Sequence, residues 1–291
     1  YTVSAKGDTA LEKKIIWSVA AVAAAALITI GILFACGVFT PSNGKKYDVS
    51  SCIMQENSPL RGKTIYWLGS SVTLGMASEE QAVADFLQAT TGCICVKEAV
   101  SGTTLIDKPY KTLFSSEDSY ITRLKESEAF DTSAEIDAFI CQISTNDAKA
   151  ENLPLWGELT ADDVTDKDAF DVQTTLGAME FVVAYVEEVW DCPVYFYSGS
   201  YIAESGVRAS KDPRGSDYAK LVSRTYELAE KWNKVEGVEV GVIDLFNDES
   251  FNAVSDEQYK VYMHDPVHPF KAGYKEWWTP YFDKYLSEQL G

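Results

Sequence analysis

Five short apolar runs, rich in β-branched and aromatic residues, recur along this 291-residue chain and most constrain its fold. They are Lys63–Gly69, Cys93–Val100, Ile136–Ile143, Pro193–Ser198 and Val238–Phe246. Segments with apolar residues at helical spacing follow each of them: Ser78–Thr91, Ser119–Ala129, Val172–Trp190, Asp217–Asn233 and Lys271–Leu290, the last interrupted by Pro280. Strands that alternate with helices are typical of parallel sheets, so we predict an α/β sandwich with a five-stranded parallel sheet.

An uninterrupted stretch without charged residues extends from residue 15 to residue 39. As a helix rising about 1.5 Å per residue, it is long enough to cross a hydrocarbon core of roughly 30 Å. Lys13 and Lys14 precede it, so the positive-inside rule places residues 1–14 in the cytoplasm and the large domain outside. We therefore predict one N-terminal transmembrane helix that anchors an extracytoplasmic domain.

Two other interpretations of this stretch remain open. Leu33–Cys36 is similar to a lipoprotein signal, in which Cys36 would carry the lipid, and a buried helix of the globular domain is the third option. Lys45 and Lys46, beyond the stretch, oppose the predicted orientation. Residues 40–62 lack periodicity and contain Pro, Ser, Asn and Gly, which predicts an extended linker before a domain over 63–291.

Acidic residues dominate the chain after the apolar stretch, with 42 acidic against 22 basic residues. Such a surface repels nucleic acid and anionic headgroups, which excludes a nucleic-acid-binding protein. It suits a neutral or cationic substrate, although acidity that serves only solubility is the simpler explanation.

The six cysteines show no spacing typical of a zinc site; they are Cys36, Cys52, Cys93, Cys95, Cys141 and Cys192. Cys93 and Cys95 lie two apart in a predicted strand, so their side chains are expected on one face. We predict buried free thiols, with one or two disulfides at most. We expect no metal or organic cofactor.

Polar residues follow three of the predicted strands and precede the last helix. Ser71, Gly102 and Asn146 come after strands, and Asp265 and His268 lie in the loop before Lys271. A serine hydroxyl becomes a nucleophile when a histidine takes its proton, and a carboxylate orients that histidine. The backbone N–H groups of Ser71 and Gly102 and the Asn146 amide would stabilise a tetrahedral oxyanion. A nucleophile, a base with its orienting carboxylate and oxyanion donors are the groups that acyl transfer requires.

The same residues carry a family resemblance. Gly69–Thr73, Gly102, Ser144–Asp147 and Asp265–His268 resemble, in order, the four blocks of the SGNH/GDSL hydrolases. The resemblance covers roughly Lys63 to Gly291. It implies a three-layer, flavodoxin-like sandwich, a Ser71–His268–Asp265 triad, and an oxyanion hole of Ser71, Gly102 and Asn146. One position departs from the pattern, because Ser70 stands where the family usually has Asp.

Each residue also has a simpler interpretation. Ser71 could cap a helix, Asn146 could form an Asx turn, and Asp265 could cap the turn before Pro266. His264 is the only rival base, since the chain has two histidines. The acidic loop from Ala148 to Phe170 is long enough to suggest a rim of the substrate site.

From these observations we predict a membrane-tethered, extracytoplasmic serine esterase that removes acyl groups, such as acetyl, from a carbohydrate or another small neutral ester. An O-acyltransferase that delivers the acyl group to a glycan hydroxyl is one alternative. A lysophospholipase is disfavoured by the acidic surface. A non-catalytic surface scaffold that keeps the fold is the alternative from another class.

Overall fold

The computed structural model describes residues 40–112, 115–210 and 215–291. The predicted transmembrane stretch over 15–39, including Cys36, lies outside these residues. Within the three described ranges, no helix combines the length and the apolar character needed to cross a bilayer.

A five-stranded parallel sheet forms the centre of the domain, as predicted. The strands of the described residues are β1 (Thr64–Gly69), β2 (Ile94–Ala99), β3 (Tyr110–Lys111), β4 (Ser116–Glu117), β5 (Ala138–Gln142), β6 (Val194–Tyr197) and β7 (Val240–Ile243). The central sheet has the order β2-β1-β5-β6-β7, and β3 and β4 form a separate antiparallel hairpin. If the five strands of this sheet are renumbered without the hairpin, their order is 2-1-3-4-5, as in flavodoxin-like sheets. In such sheets ligands bind where the strand order reverses, which here lies between β1 and β5.

The helices begin and end within a few residues of the predicted positions, with one exception. They are α1 (Ser71–Leu74), α2 (Val83–Thr91), α3 (Tyr120–Glu126), α4 (Thr175–Trp190), α5 (Gly215–Trp232), α6 (Asp256–Tyr262), α7 (Lys271–Gly273) and α8 (Thr279–Leu290). The helix predicted from Ser78 begins at Val83, because Glu79 and Glu80 adopt positive φ values that an α-helix excludes. A π-helical turn, Tyr274–Trp278, separates α7 from α8, and Pro280 lies in the first turn of α8. The predicted interruption near Pro280 is therefore confirmed. The hairpin and α6 had no counterpart in the sequence prediction.

Helices cover both faces of the sheet. Adjacent residues of a strand point to opposite faces, and β1 shows where the helices lie. Tyr66 packs edge-on against Trp190 of α4 with ring centroids 5.5 Å apart, whereas Trp67 packs against Phe282 of α8 at 5.6 Å. α4 and α8 consequently belong to opposite layers, which establishes the three-layer sandwich.

Residues 40–62, which we call the N-terminal strap, differ from the predicted extended linker. Three consecutive 3-10 turns, Pro41–Asn43, Lys45–Tyr47 and Val49–Ser51, lie against the domain. The side chains of Asn43, Tyr47 and Leu60 are buried. The sequence pattern missed this arrangement because hydrogen bonds to distant residues, rather than an apolar helical face, hold the strap in place.

All five described cysteines are free thiols. The sulfur atoms of Cys93 and Cys95 lie 3.4 Å apart, which confirms that the two side chains share one face.

Candidate active site

The turn that carries Ser71 connects β1 to α1 at the carboxyl edge of the sheet. Gln142, the last residue of β5, holds this turn: its Oε1 accepts hydrogen bonds from the N–H of Ser70 at 3.0 Å and of Thr73 at 3.1 Å. The Thr73 hydroxyl donates to the same oxygen at 2.8 Å. A Cβ at Gly69 would lie 1.7 Å from that hydroxyl, so only glycine fits before the Ser-Ser pair.

Ser71, His268 and Asp265 lie together, although they come from opposite ends of the domain sequence. His268 Nε2 is 2.8 Å from Ser71 Oγ, and His268 Nδ1 is 2.8 Å from Asp265 Oδ2. The ring of the rival base, His264, instead packs edge-on against Phe270. With its Nδ1–H donated to the carboxylate, the His268 ring presents Nε2 as the acceptor for the serine proton.

The Asp265 carboxylate is held in its charged form. Burial opposes its ionisation, but the hydrogen bond from His268 and those from the backbone N–H groups of Val267 and His268 outweigh burial, and the pKa of Asp265 lies below its usual value. The two backbone bonds measure 2.8 Å and 2.9 Å. A charged, fixed carboxylate can stabilise the imidazolium that forms when His268 accepts a proton.

Gly102 and Asn146 reach the same edge of the sheet. The Asn146 side-chain amide donates to the Thr103 carbonyl at 2.9 Å, which joins the loop after β5 to the loop after β2. Gly102 has φ +85°, and a Cβ there would lie 2.4 Å from the ring of Tyr110 in the hairpin. Among the hydrogen bonds of the described residues, none uses the backbone N–H of Ser71 or Gly102. Both N–H groups are therefore available to a ligand oxygen.

Two buried charged side chains, which the sequence analysis gave no role, connect these loops. Arg123 of α3 donates to the Gly69 carbonyl at 2.9 Å and to the Thr103 hydroxyl at 3.0 Å. Asp147 accepts the N–H of Leu105 at 2.9 Å. Burial raises the pKa of Asp147 to about 6, although hydrogen bonds from Leu105 and neighbouring groups act in the opposite direction. These contacts hold the Gly102 loop against the Ser71 turn and the Asn146 loop.

The sequence matches no protein-family model and no curated protein. Solved structures do resemble the fold. A protein from Lactobacillus plantarum aligns with a TM-score of 0.54 at 21% identity, over 78% of this chain and 98% of its own. A carbohydrate esterase family 2 enzyme from Corynascus thermopiles, solved with its carbohydrate-binding domain, aligns with a TM-score of 0.50 at 16% identity, over 82% of this chain and 69% of its own.

The chain therefore shares its α/β fold with these solved structures. Its departure from the usual first block of SGNH sequences has a clear structural setting. The Ser70 side chain is fully buried. The main chain of Ser70, rather than its side chain, is what Gln142 holds.

The long loop over 148–170 packs directly on the Asn146 side of the candidate active site. Asn152 donates to the Asn146 carbonyl at 2.7 Å, and the Trp156 indole donates to the Asp147 carbonyl at 2.8 Å. Only two short 3-10 turns, Leu153–Leu155 and Lys167–Ala169, interrupt its irregular path. The loop thus supports the backbone that presents Asn146, and its role as a substrate rim stays a prediction.

Proposed function

We propose that this chain is a serine esterase that removes small acyl groups, in particular acetyl, from a carbohydrate or another neutral ester. The observation that supports it most directly is the 2.8 Å approach of His268 Nε2 to Ser71 Oγ, with Asp265 on the opposite ring nitrogen. A helix cap or an Asx turn would not require these three side chains to meet.

The geometry supports a two-step acyl transfer. Ser71 Oγ attacks the ester carbonyl carbon while His268 Nε2 accepts the serine proton. The backbone N–H groups of Ser71 and Gly102 and the Asn146 amide stabilise the oxyanion. The C–O bond to the alcohol then breaks, and the alcohol leaves with the proton from His268. Water attacks the acyl-enzyme with His268 again as the base, which releases the acid and restores Ser71.

Charge and structural likeness support the substrate class. The acidic chain disfavours an anionic substrate, and an enzyme from a carbohydrate esterase family has a similar fold. We further propose that residues 15–39 anchor the chain in a membrane and that the SGNH domain, over 63–291, faces outward. The charge-free length of this stretch and the preceding lysines support this part of the proposal.

Hydrolysis of p-nitrophenyl acetate tests the proposal. Turnover should be lost in Ser71→Ala and in His268→Ala, and a fluorophosphonate probe should label Ser71, as shown by peptide mapping. Ser70→Ala and His264→Ala are matched controls and should retain turnover, because Gln142 holds the main chain of Ser70 and the His264 ring packs on Phe270. Equal turnover in Ser71→Ala and the native chain would reject the esterase.

Two further measurements define the reaction. Activity that falls steeply from acetyl to octanoyl esters would support a small acyl group and argue against a lipase. A glycan acceptor that captures the acyl group in competition with water would indicate transfer instead of hydrolysis.

A further inference from the structure

The N-terminal strap begins beside the candidate active site. Thr40, Pro41 and Ser42 line a cleft of about 440 Å³ together with His264 and Asp265. Immediately after them, the Asn43 side chain accepts the backbone N–H of Lys271 at 2.9 Å and donates to the Ala77 carbonyl at 2.8 Å. Lys271 and Ala77 follow closely after His268 and Ser71 in the chain. The strap therefore starts at the carboxyl edge of the sheet.

The other end of the strap lies at the opposite edge. The Gln55 N–H donates to the Thr90 carbonyl at 2.7 Å, and the Gly62 N–H donates to the Gly92 carbonyl at 3.0 Å. Thr90 and Gly92 precede β2, so this is the edge where the parallel strands begin. β1 has six residues, which at about 3.3 Å per residue separates the two edges by roughly 20 Å.

Polar contacts lock the strap along this path. Asp48 accepts hydrogen bonds from Gln81 at 3.0 Å and from the buried Lys271 ammonium at 3.2 Å. Lys275 donates to the Lys46 carbonyl at 2.9 Å. The hydrogen bonds from Gln81, then Ser50, hold the pKa of Asp48 well below its usual range. The charge-free stretch ends at residue 39, so little flexible chain remains between it and the docked Asn43.

A flexible linker over residues 40–62 would leave the domain free to rotate above the membrane. The docked strap instead fixes which edge lies nearest the predicted anchor, and that edge is the carboxyl edge with Ser71.

We propose that the strap turns the Ser71 edge of the domain toward the bilayer surface, so that the ester substrate is carried by a membrane-anchored molecule, such as a glycan on a lipid. This inference rests on the membrane anchor and the esterase activity proposed above. According to this proposal, the ester bond lies close to the lipid headgroups and not in a polymer far from the membrane.

Energy transfer to acceptor-labelled lipid headgroups measures the orientation without any turnover. The full chain is reconstituted in liposomes with Cys36→Ser and Cys52→Ser, and a donor dye is attached at either Lys260→Cys or Ile53→Cys. Lys260 borders the cleft, and Ile53, with 88% exposure, lies on the strap toward the opposite edge. We expect higher transfer from position 260. Equal transfer from both positions, or higher transfer from position 53, would overturn the orientation.

Turnover tests the substrate class separately. The probes are an O-acetylated glycolipid in the same liposomes and the same acetylated glycan free in solution. A flexible Gly-Ser insertion after Phe39 keeps the strap contacts but lengthens the tether. It should lower turnover of the glycolipid about tenfold, since effective concentration falls with tether length, and leave turnover of the free glycan unchanged.

The outcomes separate this inference from the proposed function. Equal loss on both probes, or no loss on the glycolipid, would contradict a membrane-carried substrate. A native chain that hydrolyses neither probe nor p-nitrophenyl acetate would contradict the proposed esterase activity. The energy-transfer measurement would still decide the orientation of the domain in that case. A chain that does not float with liposomes would remove the anchor and this inference together.

Discussion

Asp147 allows a quantitative test of how the loops around Ser71 are held. Its carboxyl group is fully buried and accepts the N–H of Leu105 at 2.9 Å and the Thr175 hydroxyl at 3.2 Å. Burial raises its pKa from 3.8 to about 6 despite these bonds. The change to test is Asp147→Asn, which keeps the shape and one acceptor oxygen but cannot ionise.

The sign follows from proton binding. Between about pH 4 and pH 6 the folded chain binds the Asp147 proton more tightly than the unfolded chain, so the free energy of unfolding falls as the pH rises through this window. One pKa unit corresponds to about 1.4 kcal/mol, so the shift from 3.8 to about 6 lowers stability by about 3 kcal/mol at neutral pH. Asp147→Asn lacks this dependence.

Urea unfolding of both proteins at a series of pH values from 4 to 7 measures the effect. The difference in unfolding free energy between Asp147→Asn and the native chain should change in favour of the variant by about 2.5 kcal/mol between pH 4 and pH 7. The exposed Glu151→Gln controls for the loss of one carboxylate on the adjoining loop. A difference that stays constant with pH would refute the claim that burial governs the ionisation of Asp147.

Three other predictions concern the site. Gln142→Leu leaves the buried Ser70 N–H without its acceptor at a cost of about 1–3 kcal/mol, so the melting temperature and the turnover should both fall. Gln142→Glu keeps an acceptor oxygen and should retain turnover, and a leucine variant as stable as the native chain would contradict this prediction. Asp265→Asn should lower ester turnover by about 10⁴-fold with an unchanged circular dichroism spectrum, because His268 loses its orienting anion, and native-like turnover would remove Asp265 from the triad. Shortening the loop over 148–170 should raise KM for carbohydrate esters, and unchanged kinetics would reject the loop as a rim.

Local patterns were enough to predict the strands and the residues that meet at the site. Ser71 follows an apolar run that ends in glycine, and Asp265 and His268 are three positions apart in a short loop before a helix. Parallel strands place their carboxyl ends at one edge, so residues that follow them were expected to converge. The structure brings His268 to Ser71, and the catalytic roles of both remain predictions.

The supporting residues could not be predicted in the same way. Gln142 and Arg123 look like ordinary residues at the end of a strand and inside an amphipathic helix. Their partners, Ser70 and Gly69, are distant in the sequence, and no periodic pattern records a contact of that kind. Asp147 was part of a recognised block, but its burial depends on the loops packed over it.

The sequence by itself determined which segments form the sheet and which side chains reach its carboxyl edge, because strand periodicity and turn residues act locally. Only the tertiary structure decided the path of residues 40–62. Asn43 and Asp48 are polar residues in a stretch without periodicity, and they become structural because Lys271, more than two hundred positions away, is folded against them. Long-range hydrogen bonds that no local pattern encodes therefore decided at which edge of the domain the N-terminal strap begins.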